Sequence, residues 1–420
     1  MTLQASPLLD APTALRGPTR SVSGGAKARL LFKCLPRLRC GRLSVKTPDG
    51  DVVETVGAEA GPEAKVRLRR WRALRRMAFA GDIGAAESYI DGDWTSPNLT
   101  ACIALAARNR EAVARELRGS VVVEWIERLR NRLHANSLRG SRRNIMSHYD
   151  LGNDFFRLWL DRSMVYSSAL WDRGDLDLDA AQRRKFERIA ECLRLAGGES
   201  VLEIGFGWGA LAMHLAESFG ASVTGLTLSP SQLAFAQGLA VDRALDAKID
   251  LRLQDYREVE GQFDRVVSIE MFEAVGEAYW PAYFQTIRRS LRPGGVAVLQ
   301  VITIAEDRYA SYRSDPDFIQ KYVFPGGFLP SKTALAEAVR AAGLVMTSSQ
   351  AFGLSYARTL AEWRRRFHAR WPEIASLGFD RRFRRLWDYY LSYCEAGFAE
   401  GAIDVGLYVI EHDSAAAPAS

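Results

Sequence analysis

Between residues 200 and 302 short apolar runs alternate with helix-length segments, and no other feature of the chain restricts its fold as tightly. Residues 201–205 read as a strand that runs into glycines, 211–219 as helix, 222–225 as strand and 231–244 as helix, with further strands at 263–269 and 296–302. Strands separated by helices of this length form a parallel sheet covered on both faces, because a parallel crossover needs a dozen or more residues. The expected fold class is therefore doubly wound α/β. The run Val201-Leu202-Glu203-Ile204-Gly205-Phe206-Gly207-Trp208-Gly209 puts an acid at the strand end and glycines at alternate positions after it. Glycines there let the backbone turn sharply and approach a ligand at the carboxyl ends of the strands. The spacing is ExGxGxG, whereas a dinucleotide loop reads GxGxxG and is followed, not preceded, by its acid.

Outside this region the chain changes texture. Residues 1–25 and 413–420 are poor in large apolar groups and are expected to be disordered tails. Residues 26–136 read as a first, smaller domain: a hairpin (Gly41 to Lys46, a Pro48-Asp49-Gly50 turn, then Val52 and Val53) followed by mainly helical pattern. Within it, residues 65–80 space Leu68, Trp71, Leu74 and Met77 by threes among Arg67, Arg69, Arg70, Arg72, Arg75 and Arg76. A basic amphipathic helix of this kind suits a membrane surface, and the same stripe is equally what any packed helix needs. Residues 137–412 form the second domain.

Residues 1–150 hold 26 Lys and Arg against 15 Asp and Glu, and the remainder 30 against 35, so the amino-terminal half should face an anionic partner. Nucleic acid and anionic lipid both satisfy that charge. No apolar stretch approaches the ~20 residues of a spanning helix, and residues 1–25 lack a signal peptide's apolar centre, so any membrane contact is expected to be peripheral. Cys34, Cys40, Cys102, Cys192 and Cys394 show no CxxC spacing and only five His accompany them, which indicates neither a disulfide framework nor a zinc site. Reduced thiols and a cytoplasmic location are expected.

The glycine run, with Gln254-Asp255-Tyr256-Arg257 before the strand at 263 and Leu291-Arg292-Pro293-Gly294-Gly295 before the strand at 296, resembles the Rossmann-like class I S-adenosylmethionine (SAM) methyltransferases. The surrounding segments narrow the resemblance. Ser147-His148-Tyr149-Asp150, Tyr166-Ser167-Ser168-Ala169, Thr227-Leu228-Ser229 with Gln232, Met271-Phe272-Glu273, Phe324-Pro325-Gly326-Gly327 and Phe352-Gly353 with Tyr356 are similar to the cyclopropane fatty acid synthase family, strongly over residues 144–410. Glu87 to Trp94 resembles, more weakly, that family's amino-terminal lipid-binding portion.

The resemblance implies methyl transfer from SAM to the double bond of an unsaturated acyl chain in a membrane phospholipid, with ring closure by loss of a proton. It implies an enzyme on the inner face of the membrane, a homodimer, and no nucleic acid partner. An alkene is a weak nucleophile, so the sulfonium methyl must be held in line with it, in an apolar channel that excludes water from the cation formed. Carried over by position, Tyr166, Ser167, Val201 through Gly209, Thr227, Leu228, Ser229, Gln232, Tyr256 and Arg257 match the SAM-contacting segments. Glu273, Tyr356 and the backbone of Ile302 match members of a group that holds a bicarbonate, the proton acceptor.

The departures from the family are specific. Its usual Cys after Tyr-Ser is Ser168, its His after Phe-Glu is Ala274, and its His at the end of the late strand is Gln300. Two of the contacts that the resemblance assigns to the bicarbonate, Ser168 and Gln300, are thus changed in type; Ser and Gln retain hydrogen-bonding capacity, but the titratable imidazole is gone. A methyl-branched, methylene or methylated-diene product is accordingly the alternative to a cyclopropane. An amine methyltransferase and a non-catalytic SAM- or lipid-binding protein are the rival classes. Cys394 matches a late family Cys, yet alkylation of an alkene requires no enzyme nucleophile, which favours a structural role. His148 fits either a site residue or a buried hydrogen-bonding one, and Trp208 either packing or a cofactor wall.

Overall fold

The computed structural model describes residues 19–35, 37–117, 151–172, 174 and 177–413. His148 and the boundary expected near residue 136 lie outside them. The amino-terminal part comprises β1 (Thr19–Ser23), α1 (Ala26–Cys34), β2 (Cys40–Lys46), β3 (Val52–Val56), β4 (Glu59–Leu68), α2 (Arg72–Ile90), β5 (Trp94–Thr95) and α3 (Leu99–Leu117). The anticipated hairpin is present, with Lys46 opposite Val52 and Gly50 at φ +93° in its turn. It is the middle of a five-stranded sheet in the order β1-β3-β2-β4-β5.

Two expectations for this part change, and between the two readings of the basic stripe the packed one prevails. Residues 19–25 are not part of a tail, because Thr19–Ser23 pairs antiparallel with β3 and Arg20 donates to the Leu35 carbonyl at 2.8 Å. Residues 65–68 are strand and not helix: Ala64 and Leu68 are buried and Lys65 and Arg67 exposed, the two-residue alternation of a sheet. The apolar stripe of Trp71, Leu74 and Met77 packs on the core, while Arg70, Arg72 and Arg76 pair with Asp93 and, for Arg76, also Asp91 and Glu87. Much of the stripe is thus domain core and half of its arginines are spent within the fold.

The second part comprises α4 (Asn153–Arg157), α5 (Leu178–Cys192), β6 (Ser200–Ile204), α6 (Ala210–Phe219), β7 (Ser222–Thr227), α7 (Pro230–Asp242), β8 (Ile249–Leu253), β9 (Phe263–Ile269), α8 (Trp280–Ser290) and β10 (Leu291–Ile304). It continues through α9 (Glu306–Ser314), α10 (Phe318–Tyr322), α11 (Lys332–Ala341), β11 (Leu344–Ala351), α12 (Gly353–Ala369), α13 (Trp371–Ser376), α14 (Arg381–Ala399) and β12 (Ile403–His412). The seven strands run β11-β12-β10-β9-β6-β7-β8. All neighbours from β10 to β8 are parallel, whereas β12 enters antiparallel between β10 and β11. The sheet is therefore mixed at one edge.

Val201, Leu202, Val266, Val267, Val298 and Leu299 are fully buried, as continuous apolar strands covered on both faces should be. Chain order reverses between β6 and β9, so the carboxyl ends of those strands define the crevice where such sheets bind ligands.

The two parts meet along α14. Tyr89 donates its hydroxyl to Asp388 Oδ2 at 2.6 Å, Arg385 donates to the Tyr89 and Trp94 carbonyls, and Thr100 donates to Glu395 at 2.8 Å. Arg364 Nε and His368 Nε2 reach Asp388 Oδ1 at 3.0 and 2.7 Å. Three polar groups, Tyr89, Arg364 and His368, thereby converge on one buried carboxylate at the seam.

Candidate active site

The carboxyl ends of β6, β7 and β9 open onto a cavity of about 620 Å³. Its floor is the glycine run. Gly205, Gly207 and Gly209 all take positive φ (+83°, +57° and +86°), and a Cβ at Gly205 would lie 2.8 Å from Met271 Cγ. Glycine is required at such a turn, where any side chain would strain the backbone and narrow the cleft. Of the residues matched to SAM contacts, Glu203 through Trp208, Tyr166, Ser167, Thr227, Leu228, Gln232, Tyr256 and Arg257 line this cavity.

Val201, Leu202, Gly209 and Ser229 are not among its lining residues. Val201 and Leu202 are buried in the core of β6, Gly209 caps α6 from behind, and the Ser229 hydroxyl caps α7 by accepting from the Gln232 amide. They support the cleft wall.

Thr227 Oγ1 donates to Gln232 Oε1 at 3.1 Å and accepts from the Ser229 amide, which fixes the pair expected to share ribose binding. Arg257 makes a two-pronged contact with Asp255 at 2.9 and 2.6 Å, and these hydrogen bonds hold the Asp255 carboxyl below its ordinary range. The Tyr166 hydroxyl is shared with Tyr390 at 2.8 Å. Trp208 fulfils both readings given to it: its Nε1 donates to Asn153 at 2.8 Å, its ring lies 5.1 Å from Phe156, and it lines the cavity.

Two site residues escaped the sequence reading. The first is Lys185 on α5, fully buried, with Nζ donating to the Ser167 hydroxyl at 2.7 Å while Gln182 donates to the Ser167 carbonyl at 3.0 Å. Burial lowers its ammonium to about 8 against the opposing pull of Glu270, Asp161 and Glu203. Burial also pushes Asp161 up to about 6 and Glu203 to about 8. The signal was available: Gln182 and Lys185 are polar residues on the buried stripe of Leu178, Ala181, Phe186 and Ile189.

The second is Glu270, one residue past the end of β9 and part of the cavity wall. Its Oε1 accepts from the Ser168 amide at 2.8 Å and from Gln300 Nε2 at 2.6 Å, and its Oε2 accepts from the Tyr356 hydroxyl at 2.7 Å. These are three of the five residues to which the resemblance assigns a bicarbonate. The other two turn to each other, Ile302 donating its amide to Glu273 Oε1 at 2.6 Å. Glu273 Oε2 is buried with no partner, and burial followed by the charge of Glu270 pushes its carboxyl up to about 8. The expected group is thus brought together, but around two carboxylates of the chain itself.

One detail differs from expectation. Ser168 serves through its amide, its hydroxyl donating instead to the Ala169 carbonyl at 2.9 Å. Ala274 lines the cavity and contributes no hydrogen-bonding side chain. Bicarbonate does not fit this arrangement, since Glu270 already takes the donors that would hold it. Burial keeps the Cys394 thiol far above its ordinary range, so no thiolate is presented. The cysteines described, Cys40, Cys102, Cys192 and Cys394, are free, and no cluster able to hold a metal occurs among the described residues.

A doubly wound sheet with a glycine floor after its first central strand and a hydroxyl–amide pair after the next defines a class I SAM-dependent methyltransferase, and SAM is the methyl donor. Residues 136–407 match the family described as mycolic acid cyclopropane synthetase. The chain belongs to that family. It is 38% identical over 407 residues to the tuberculostearic acid methyltransferase of Mycobacterium tuberculosis, covering 93% of this chain and 92% of that protein. It is 36% identical to the cyclopropane-fatty-acyl-phospholipid synthase of Escherichia coli, covering 83% and 87%. A crystal structure of the mycolic acid cyclopropane synthase CmaA1 with S-adenosylhomocysteine (SAH) and CTAB superposes with a TM-score of 0.59 at 33% identity, over 64% of this chain and 96% of that one. The chain is a SAM-dependent fatty acid methyltransferase.

Proposed function

We propose that this enzyme methylates the double bond of an unsaturated acyl chain carried by a membrane phospholipid, and that the product is a cyclopropane. The alkene π pair attacks the sulfonium methyl, the carbon–sulfur pair stays on sulfur, and a carbocation is left on the neighbouring carbon. The observation that carries this reading is a buried carboxylate, Glu270, at a cofactor cleft whose wall is aromatic and apolar around Tyr166, Met164, Val165 and Ile269. Aromatic faces and a fixed carboxylate stabilise a cation without adding to it, and the water-poor wall protects it from hydration. Trp159 and Trp363 pack 5.7 and 5.3 Å from the Tyr166 ring and keep it in place.

In this reading the acyl chain enters the cleft from the bilayer, on which the basic amino-terminal part docks at the inner face. Exposed Arg67, Arg69 and Arg75, with exposed Leu30 and Phe79, support that docking. No helix among the described residues is long and apolar enough to cross a membrane. Binding to anionic vesicles that weakens with added salt is expected.

A methyl-branched or methylene product is the second reading, favoured by the changed residues Ser168, Ala274 and Gln300 and by the name of the mycobacterial relative. Radiolabelled SAM with unsaturated phospholipid vesicles, followed by mass spectrometry of the hydrogenated fatty acids, separates the two. Gain of one CH2 resisting mild hydrogenation marks the cyclopropane, and a reducible double bond marks the other. No label in lipid would refute the function itself.

A further inference from the structure

We propose that the Glu270 carboxylate stands where a bicarbonate would be held and is itself the base that takes the proton lost after methyl transfer. The inference rests on the alkene-methylation reading above, and its first support is geometric. Three donors from three separate elements converge on this side chain: the Ser168 amide before α5, Gln300 on β10 and the Tyr356 hydroxyl on α12. A planar carboxylate accepting at both oxygens is nearly isosteric with bicarbonate, so a free anion would find its donors taken and a like charge in its place.

The second support is the backbone. Glu270 has φ +49°, one of four non-glycine residues described with positive φ. A side chain in that left-handed region costs on the order of 1 kcal/mol, and such strain concentrates at functional sites. Glycine would occupy the position without that cost, so glutamate is retained there for its side chain.

The third support is charge. Lys185 faces Glu270 from α5, and Glu273 faces it from the segment after β9. Burial raises the Glu270 carboxyl, while the Ser168 amide, the Tyr356 hydroxyl, the Lys185 ammonium and Gln300 all favour its ionised form, and its charge helps push the Glu273 carboxyl up to about 8.

The step balances within the active site. After transfer, SAH is a neutral sulfide and the acyl chain carries the positive charge. A C–H bond of the transferred methyl breaks. Its electron pair closes the third ring bond to the cationic carbon, or forms a carbon–carbon double bond once hydride migration has moved the cation. In either case the proton goes to Glu270, which becomes a carboxylic acid and later returns the proton to solvent. No external base is consumed.

The test uses the full-length enzyme, SAM and unsaturated phospholipid vesicles in buffer stripped of carbon dioxide. The wild type should turn over equally with and without added bicarbonate. Glu270→Gln, which keeps the shape and loses the base, should fall at least ~100-fold and stay there. Glu270→Gly, which relaxes the backbone and vacates the donors, should fall similarly and regain at least ~10-fold with bicarbonate. Calorimetric SAM binding within about threefold of wild type would show that the variants fold. Independently of turnover, carbon-13 bicarbonate resonances should broaden with Glu270→Gly and not with the wild type.

The proposal is overturned if stripping bicarbonate abolishes wild-type activity, if Glu270→Gln keeps activity within about threefold of wild type, or if wild type and Glu270→Gly broaden bicarbonate alike. Should the wild type methylate no unsaturated phospholipid, the function proposed above fails, and the resonance comparison still decides who occupies the anion position.

Discussion

Asp388 offers the sharpest quantitative test of how the two parts of the molecule are joined. Its carboxylate is 11% exposed and accepts from Tyr89, Arg364 and His368. Burial alone would raise its pKa, but the hydrogen bonds of His368 and Tyr89 and the charge of Arg364 overrule it and hold the group at about 2. Against an ordinary value of 3.8, at 1.36 kcal/mol per pKa unit, the ionised group contributes about 2 kcal/mol. Asp388→Asn removes that, and its amide NH2 leaves one donor facing a donor, for about 1 kcal/mol more. At roughly 2 cal/mol/K per residue of unfolding entropy, about 3 kcal/mol lowers Tm by about 3 °C if the whole chain melts as one unit.

A larger drop in the amino-terminal transition alone would mean that this part detaches first. The folded pKa is depressed, so the contribution is complete above pH 3.8 and disappears as pH falls through about 2. Urea unfolding of wild type, Asp388→Asn, Tyr89→Phe and the double variant at neutral pH would give the coupling across the seam, expected at about 1–2 kcal/mol. A Tm change below about 1 °C together with zero coupling would refute the reasoning.

Other expectations concern the cleft. Gly209→Ala puts a Cβ 2.9 Å from Ala236 Cβ at φ +86°, and calorimetry should find SAM binding at least ~10-fold weaker. Thr227→Val removes the donor to Gln232, so SAM affinity should fall about fivefold, roughly 1 kcal/mol, with Tm little changed. Lys185→Met leaves Asp161 and Glu270 without their cation, Glu203 being neutral below about 8, and urea unfolding at neutral pH should register a loss of about 3 kcal/mol. Unaltered stability of that variant would mean the acids are already neutral in the folded state.

The sheet was largely legible because its strands are short, apolar and bounded by glycines. The strand expected at 263–269 is β9 to the residue, and that at 201–205 is displaced from β6 by one. β10 runs longer than 296–302, since Leu291 pairs with Phe263 before a register shift carries the strand past Pro293 and the glycines. β4 was obscured where a two-residue alternation ending at Leu68 meets a three-residue spacing beginning at the same leucine. β12 could not be read as antiparallel, because strand direction is decided by partners tens of residues away on β11 and about a hundred away on β10.

At the site, residue types and their neighbourhood were readable, whereas hydrogen-bond roles were not. Nothing in the run Tyr166-Ser167-Ser168 shows that Ser168 turns its hydroxyl aside and offers its amide. Glu270 did carry a local signal, as the first of two acids three residues apart at the carboxyl end of a strand. Its partners lie 102, 30 and 86 residues away, which no local pattern reveals.

The positive φ at Glu270 has a genetic corollary. Glutamate and glycine codons differ by a single second-base transition, and the main chain here already has the shape that glycine prefers. On the base assignment proposed above, one nucleotide therefore separates an enzyme carrying its own acid from one with a hole open to dissolved carbonate. Descendants of such a gene could exchange self-sufficiency for reliance on respired carbon dioxide, and return, with no rebuilding of the surrounding scaffold.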